Sequence, residues 1–367
     1  MLSRIAESLY WIGRFVERAE DTARITDVNY HHTLEMGALA DAPERRRQHW
    51  EALLTIVGDR ERFAAWHDEA NEETVPHYLV FEATNPHSVV SCIARARENA
   101  RMMRHQIASE MWEVLNRFYL ELQHKQEVGD TPVGAENAHQ FYRWVIEFSH
   151  LFQGITDSTM PREEGWYFLQ AGKFLERAEK TARALDVKYH LLAADALAEA
   201  ARGTGRVGLG LGGASDGVPG DWHQWLAVLR SMSAYEAYHK VYRSAVRPRG
   251  VIEFLTLSPI FPRSIRFSIN EVAGSLAQIA AHQTGNVVTG TLGGHAGFVF
   301  PTGVGSEVER AVGRLRGTLA YQRVEEIFAE GLREYLLDIQ RQCFQIGEQI
   351  EAQYFAHRAM RVEEVLA

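Results

Sequence analysis

Most of the chain consists of long runs without helix breakers, in which apolar positions return every three or four residues. His87 to Val128 spans 42 residues with neither Gly nor Pro, and Asn85-Pro86 just before it is a helix-start signal. That run predicts one helix or two. Similar runs cover Met1–Met36 with only Gly13 inside, Trp166–Arg202 with only Gly172, and Thr318–Ile346 with only Gly331. Leu332, Tyr335, Leu336 and Ile339 show the spacing, which is helical rather than alternating. The expected fold class is all-α, a helical bundle with long helices.

The glycines concentrate elsewhere. Residues 203–220 hold eight and residues 285–305 hold seven of the chain's 29. Both stretches read as loops. The second contains "NVVTG" and "GFVFPTG", so a minor β-hairpin is expected near 285–305. "GLGLGG", Gly208 to Gly213, matches a dinucleotide-binding pattern by letter only, because "ASDGVPGD" follows it where a helix would have to begin.

One helical phrase is written twice. "GRFVERAEDTARITDVNYH" (13–31) and "GKFLERAEKTARALDVKYH" (172–190) agree at thirteen of nineteen positions. Further along, "WEALL" (50–54) faces "WLAVL" (225–229), and "VPHYLVFEATNPHSV" (75–89) faces "VIEFLTLSPIFPRSI" (251–265), in the same order. The expected organisation is an internal duplication: a first helical repeat over 1–158 and a second over 159–367, packed together as one pseudo-symmetric unit.

At about 100° per residue, Gly13, Glu17, Glu20, Arg24, Asp27 and His31 share one face of a helix, and Ile12, Phe15, Ala19, Ala23, Thr26 and Tyr30 cover the other. A charged stripe of this kind ordinarily faces water. Its repetition as Glu176, Arg177, Glu179, Arg183, Asp186 and His190 favours a specific polar network, at the contact between repeats or toward a partner. An arginine fork can hold a carboxylate bidentately, and each glycine lets another backbone come close. The candidate binding residues are therefore Glu17, Arg18, Glu20, Arg24, Glu176, Arg177, Glu179 and Arg183. Four glutamates on two helices could suggest a bridged metal site, but such sites use Glu-x-x-His and the flanking arginines would repel a cation. No metal is expected there.

Arg95, Arg97, Arg101 and Arg104 form a basic cluster in the helix after Asn85, read either as a solvated face or as an anion or acidic-partner surface, with Arg97 and Arg101 as candidates. Ser88 and Ser264, each two residues after a proline, are expected to start helices, and Arg263 beside the second is a candidate for reaching a partner. Tyr235, Tyr238 and Tyr242 read as packing residues.

Composition limits the function classes. A net charge of −9 and a pI near 6.0 argue against a general nucleic-acid binder. Two cysteines, Cys92 and Cys343, suit a reducing compartment; no apolar run approaches a membrane span, and the charged N-terminal residues do not read as a signal peptide. A cytoplasmic location is expected. No nucleophile elbow, P-loop, HExxH or Cys/His pair occurs, so no catalytic residue is assigned.

"MLSRIAESLYWIGRFVERAEDTAR", "NPHSVVSCIARARENARMMRHQIASEMWEVLN", "YEAYHKVYR", "VIEFLTLSPIFPRSIRFSINEV" and "AEGLREYLLDIQRQCFQIGEQIEAQYF" closely resemble the alpha-E domain family, bacterial all-α proteins named for a Glu-Arg motif. The resemblance places that motif at Glu17-Arg18 and Glu176-Arg177. It implies association with circularly permuted ATP-grasp ligases, with transglutaminase-like peptidases as further partners. The implied role is a partner subunit of an amide or peptide ligase that binds the ligase and positions a peptide or amino-acid substrate. It would bind no cofactor itself; ATP and magnesium would come through the ligase. A stand-alone enzyme using Glu and Arg as acid and base, and a purely structural oligomer, stay open beside it, as does homo-oligomerisation.

Overall fold

The computed structural model describes residues 1–35, 42–130, 135–201, 221–243, 245–283 and 305–355. The Gly-rich segments, including all but the last residue of the hairpin expected over 285–305, lie outside the described residues. Among the described residues there are fifteen α-helices, one π-helical turn and no strand. In chain order they are α1 (Ser3–Glu35), α2 (Ala42–Val57), α3 (Arg60–Ala64), α4 (Thr74–Val80), α5 (Val89–Met102), α6 (Ser109–Glu127), α7 (Ala135–Thr159) and α8 (Glu164–Ala201). They continue with α9 (Asp221–Ser231), α10 (Tyr235–Tyr242), α11 (Pro248–Leu257), α12 (Ile265–Gln283), α13 (Glu307–Tyr321), α14 (Val324–Glu330) and α15 (Leu332–Ile350), and the π-helical turn Glu351–Phe355 closes the described chain.

Two long helices form the middle of the molecule. α1 and α8 lie against each other; α1 is flanked by α5 and α7, and α8 by α12 and α15. The shorter helix α2 bridges α1 and α8, as does α9. Surrounded in this way, α1 buries both its apolar stripe (Ile12, Phe15, Ala19, Ala23, Tyr30) and its charged one (Glu17, Glu20, Arg24). From Glu17 to Arg24 the charged stripe faces other helices, and it reaches water at His31.

The run 87–128 is two helices. α5 ends at Met102 and α6 begins at Ser109, with Met103 and Ile107 buried in the reversal, so tertiary packing sets a break that no Gly or Pro announces. Ser88 starts α5 by accepting a bond from the Ser91 amide at 3.1 Å, and Ser264 does the same for α12 from the Phe267 amide at 3.1 Å. Pro248 opens α11 at a position where its missing N–H costs nothing. Trp50, Trp225 and Tyr238 are buried, as are Cys92 and Cys343, whose thiols burial pushes up, Cys92 to about 11. No helix among the described residues is long and apolar enough to cross a membrane.

Candidate functional site

The site begins where two glycines let two backbones touch. A Cβ on Gly13 would stand 2.2 Å from the Leu169 carbonyl oxygen, and one on Gly172 would stand 2.1 Å from that of Tyr10. One turn further along, each Glu-Arg dipeptide reaches the other. Arg177 donates to Glu17 through Nε and one terminal nitrogen, both at 2.6 Å, and Arg18 donates to Glu176 in the same way at 2.6 and 2.9 Å. Both glutamates are fully buried. The result is a reciprocal pair of bidentate forks that fixes the register of α1 on α8.

The surroundings of the two forks differ. On the Glu17 side, Arg263 donates to Asp21 at 2.7 Å and to Glu17 at 3.2 Å, and also pairs closely with Glu20. Glu20 further accepts from Arg24 at 2.8 Å, from Ser149 at 2.6 Å and from Gln153 at 3.2 Å. The far end of Arg24 donates to Ser233 Oγ at 2.6 Å and lies 2.9 Å from His150 Nε2. On the Glu176 side, Arg14 adds a bond at 2.8 Å and Lys180 approaches to 3.9 Å, while Glu179 pairs with Arg183 at 2.8 Å and with Arg14 at 3.3 Å.

These charges set the protonation states. Burial pushes the Glu20 carboxyl up, but Arg263, His150, Arg24 and Arg177 together outweigh it and hold the group well below the usual carboxylate range. Glu176 behaves alike: burial is outweighed by Arg18, Arg14 and Lys180. Asp21 goes the other way. Burial and the neighbouring Glu17 charge raise it to about 7 against the pull of Arg263, and its Oδ2 is buried without a hydrogen-bond partner. Lys173, next to Gly172, is pushed down to about 8 by burial and by Arg177.

The helices that bridge the pair end in matching corners. Gly58 follows α2 with φ +84°, and Ser233 follows α9 with φ 49°, the left-handed region. At Gly58 an added Cβ would stand 2.4 Å from a terminal nitrogen of Arg183; at Ser233 the side chain is present and binds Arg24. Arginines from α1 and α8 therefore seat on the corners after α9 and α2.

Of the residues singled out in the sequence, Glu17, Arg18, Glu20, Arg24, Glu176, Arg177, Glu179, Arg183 and Arg263 come together in this network. Arg97 and Arg101 stand apart: Arg97 donates to Asn116 at 2.7 Å and lies over the Tyr119 ring at 4.7 Å, and Arg101 pairs with Glu98 at 2.6 Å in solvent. Sequence reading missed Arg14, Asp21, Ser149, His150, Gln153 and Ser233. Arg14 and Asp21 stand at positions where the two phrases differ, as Lys173 and Lys180 in the second copy, and the other four lie outside both phrases. One turn beyond Arg24, Asp27, His31 and His139 bring three metal-ligating atoms within 4.8 Å of one another.

The fold and the site together define an all-α protein organised around a buried Glu-Arg clamp. The chain belongs to the Alpha-E family, described as a predicted alpha-helical domain with a conserved ER motif, whose model matches residues 1–355. Two similar uncharacterized proteins, from Mycobacterium bovis and Mycobacterium tuberculosis, are each 24% identical over 188 residues, 47% of this chain and 21% of theirs. The match thus spans about a fifth of those relatives' length. No solved structure matches the chain.

Proposed function

We propose that this chain is a partner subunit of an ATP-grasp-type amide ligase, and that its Glu-Arg motif acts inside it as a clamp rather than as a contact to substrate. One observation carries the second half of this reading: both oxygens of Glu17 and of Glu176 are taken by the arginine of the opposite phrase, and both carboxylates are fully buried. Carboxylates so paired and so buried are out of reach of an incoming amine. The motif supplies a rigid helical platform, and the resemblance to ligase-associated proteins supplies the chemistry. The ligase would activate a carboxylate as an acyl phosphate with its own ATP and magnesium, an amine would attack it, and this chain would hold the ligase or the acceptor in place. A transglutaminase-like peptidase is the second partner proposed.

The test is co-purification with a circularly permuted ATP-grasp protein from the same organism, followed by ADP release with and without this chain across amino acids and short peptides. A complex whose ADP release depends on this chain supports the reading; no complex and no effect on turnover overturns it. Asp21 favours a second reading, because a carboxyl near pH 7 with one free oxygen is suited to proton transfer. If the chain turns over a peptide alone, Asp21→Asn would abolish that turnover in a folded protein.

A further inference from the structure

We infer that Asp27, His31 and His139 form a site for one divalent transition-metal ion of the zinc or cobalt kind, joining α1 to α7. Asp27 and His31 are four apart on α1 and so lie on one face of it, while His139 comes from the first turns of α7. His139 Nδ1 lies 3.0 and 3.1 Å from the two oxygens of Asp27, and His31 Nε2 lies 3.6 Å from Oδ1. The two imidazoles meet edge to face, with ring centroids 5.0 Å apart.

The separations fit the chemistry. Ligands bound at about 2.0–2.2 Å in adjacent tetrahedral positions sit about 3.3 Å from each other. The two separations from Asp27, 3.0 and 3.6 Å, bracket that value, and all three ligand atoms lie within 4.8 Å of one another. Two neutral imidazoles with one carboxylate form a donor set that selects zinc, cobalt or nickel over magnesium or calcium, which prefer all-oxygen sites. Three protein ligands leave the fourth position to water or to a ligand atom. That side is open, because His31 and His139 are 49% and 45% exposed while Asp27 behind them is 13% exposed. The nearest cation on α7, Arg143, is one turn along and is paired with Glu147 at 3.1 Å, so it does not occupy the carboxylate.

This site lies outside the clamp and does not depend on the ligase reading. The experiment is titration of the metal-free full chain with Co²⁺, followed by visible d–d absorption, and with Zn²⁺, followed by thermal unfolding. The expected result is one Co²⁺ per chain with the intense bands of a four-coordinate ion, and a higher Tm with Zn²⁺ by mass action. Both signals should be lost in His139→Ala and His31→Ala. His105→Ala, an exposed histidine elsewhere, should keep them. Absence of four-coordinate bands in the unaltered chain, or their survival in either ligand variant, overturns the inference. His139 is half exposed, so its truncation leaves the fold intact, and the circular dichroism of the variant checks this.

Discussion

Gly13 presses on the carbonyl oxygen of Leu169 so closely that a methyl group there would stand 2.2 Å from it. Neither backbone can yield without moving its helix, and moving either helix opens the forks one turn away. Gly13→Ala and Gly172→Ala should therefore each destabilise by about 2–3 kcal/mol or more. Urea denaturation measures this, and Gly154 and Gly313, helical glycines with open space around them, provide the control. Alanine at those two should be neutral or stabilising by up to about 1 kcal/mol.

Arg177→Met leaves Glu17 buried with Arg263 and Gln153 as its remaining partners. Removing one partner of a buried pair costs about 3–5 kcal/mol, whereas replacing both by apolar groups costs much less. The double variant Glu17→Leu/Arg177→Met should accordingly be more stable than the sum of its single variants, by a coupling of 1 kcal/mol or more, on the order that contacting residues show. Strict additivity in a double-mutant cycle would show that the fork is not a unit.

The pH dependence of stability should have two limbs of opposite sign. Glu20 and Glu176 have folded pKa values below the unfolded value of about 4.3, so their contribution is full above it and is lost as pH falls toward the folded values. Asp21 is raised to about 7. Its folded state holds the extra proton above the unfolded value of about 3.9, so this contribution falls as pH rises from about 4 to about 7 and is level beyond. Asp21→Asn should flatten the second limb and leave the acid limb in place, as urea midpoints across the pH series would show.

Ser264→Ala should cost more than Ser88→Ala. Both remove an N-cap, worth about 1 kcal/mol. Each hydroxyl also donates, Ser264 to the Ser258 carbonyl at 2.5 Å and Ser88 to the Ser91 hydroxyl at 2.9 Å, and a hydroxyl can turn to another partner where the carbonyl would lose its donor. Thermal melts of the two variants compare them directly, and equal losses would count against the second role.

The helices were legible because helix formation is local: Leu332 to Ile339 carry their spacing within two turns. The clamp was legible only as a suspicion. A stripe such as Glu17, Glu20 and Arg24 reads the same whether it meets water or a second helix, and the partner that decides lies some 160 residues away. Repetition of the phrase was the one local sign that solvent did not explain it. Arg263 shows the limit from the other direction, since its place beside a helix start suggested reach toward a partner, yet its fork closes on Glu17, Glu20 and Asp21 of the same chain. His139 carries no signal at all until α7 is laid against α1.

The distance between Glu17 and Arg263, 246 positions along the chain, also sets a timetable. At the usual rates of synthesis, on the order of ten seconds or more pass between the two leaving the ribosome. During that interval Arg177 emerges and can take both oxygens of Glu17, while Glu20 and Asp21 still lack the Arg263 fork. Burying Asp21 before then would leave it without the Arg263 counter-ion. The Glu17–Arg177 fork can thus close before the Arg263 one, and the surround of Glu20 and Asp21 is complete only once the start of α12 has emerged.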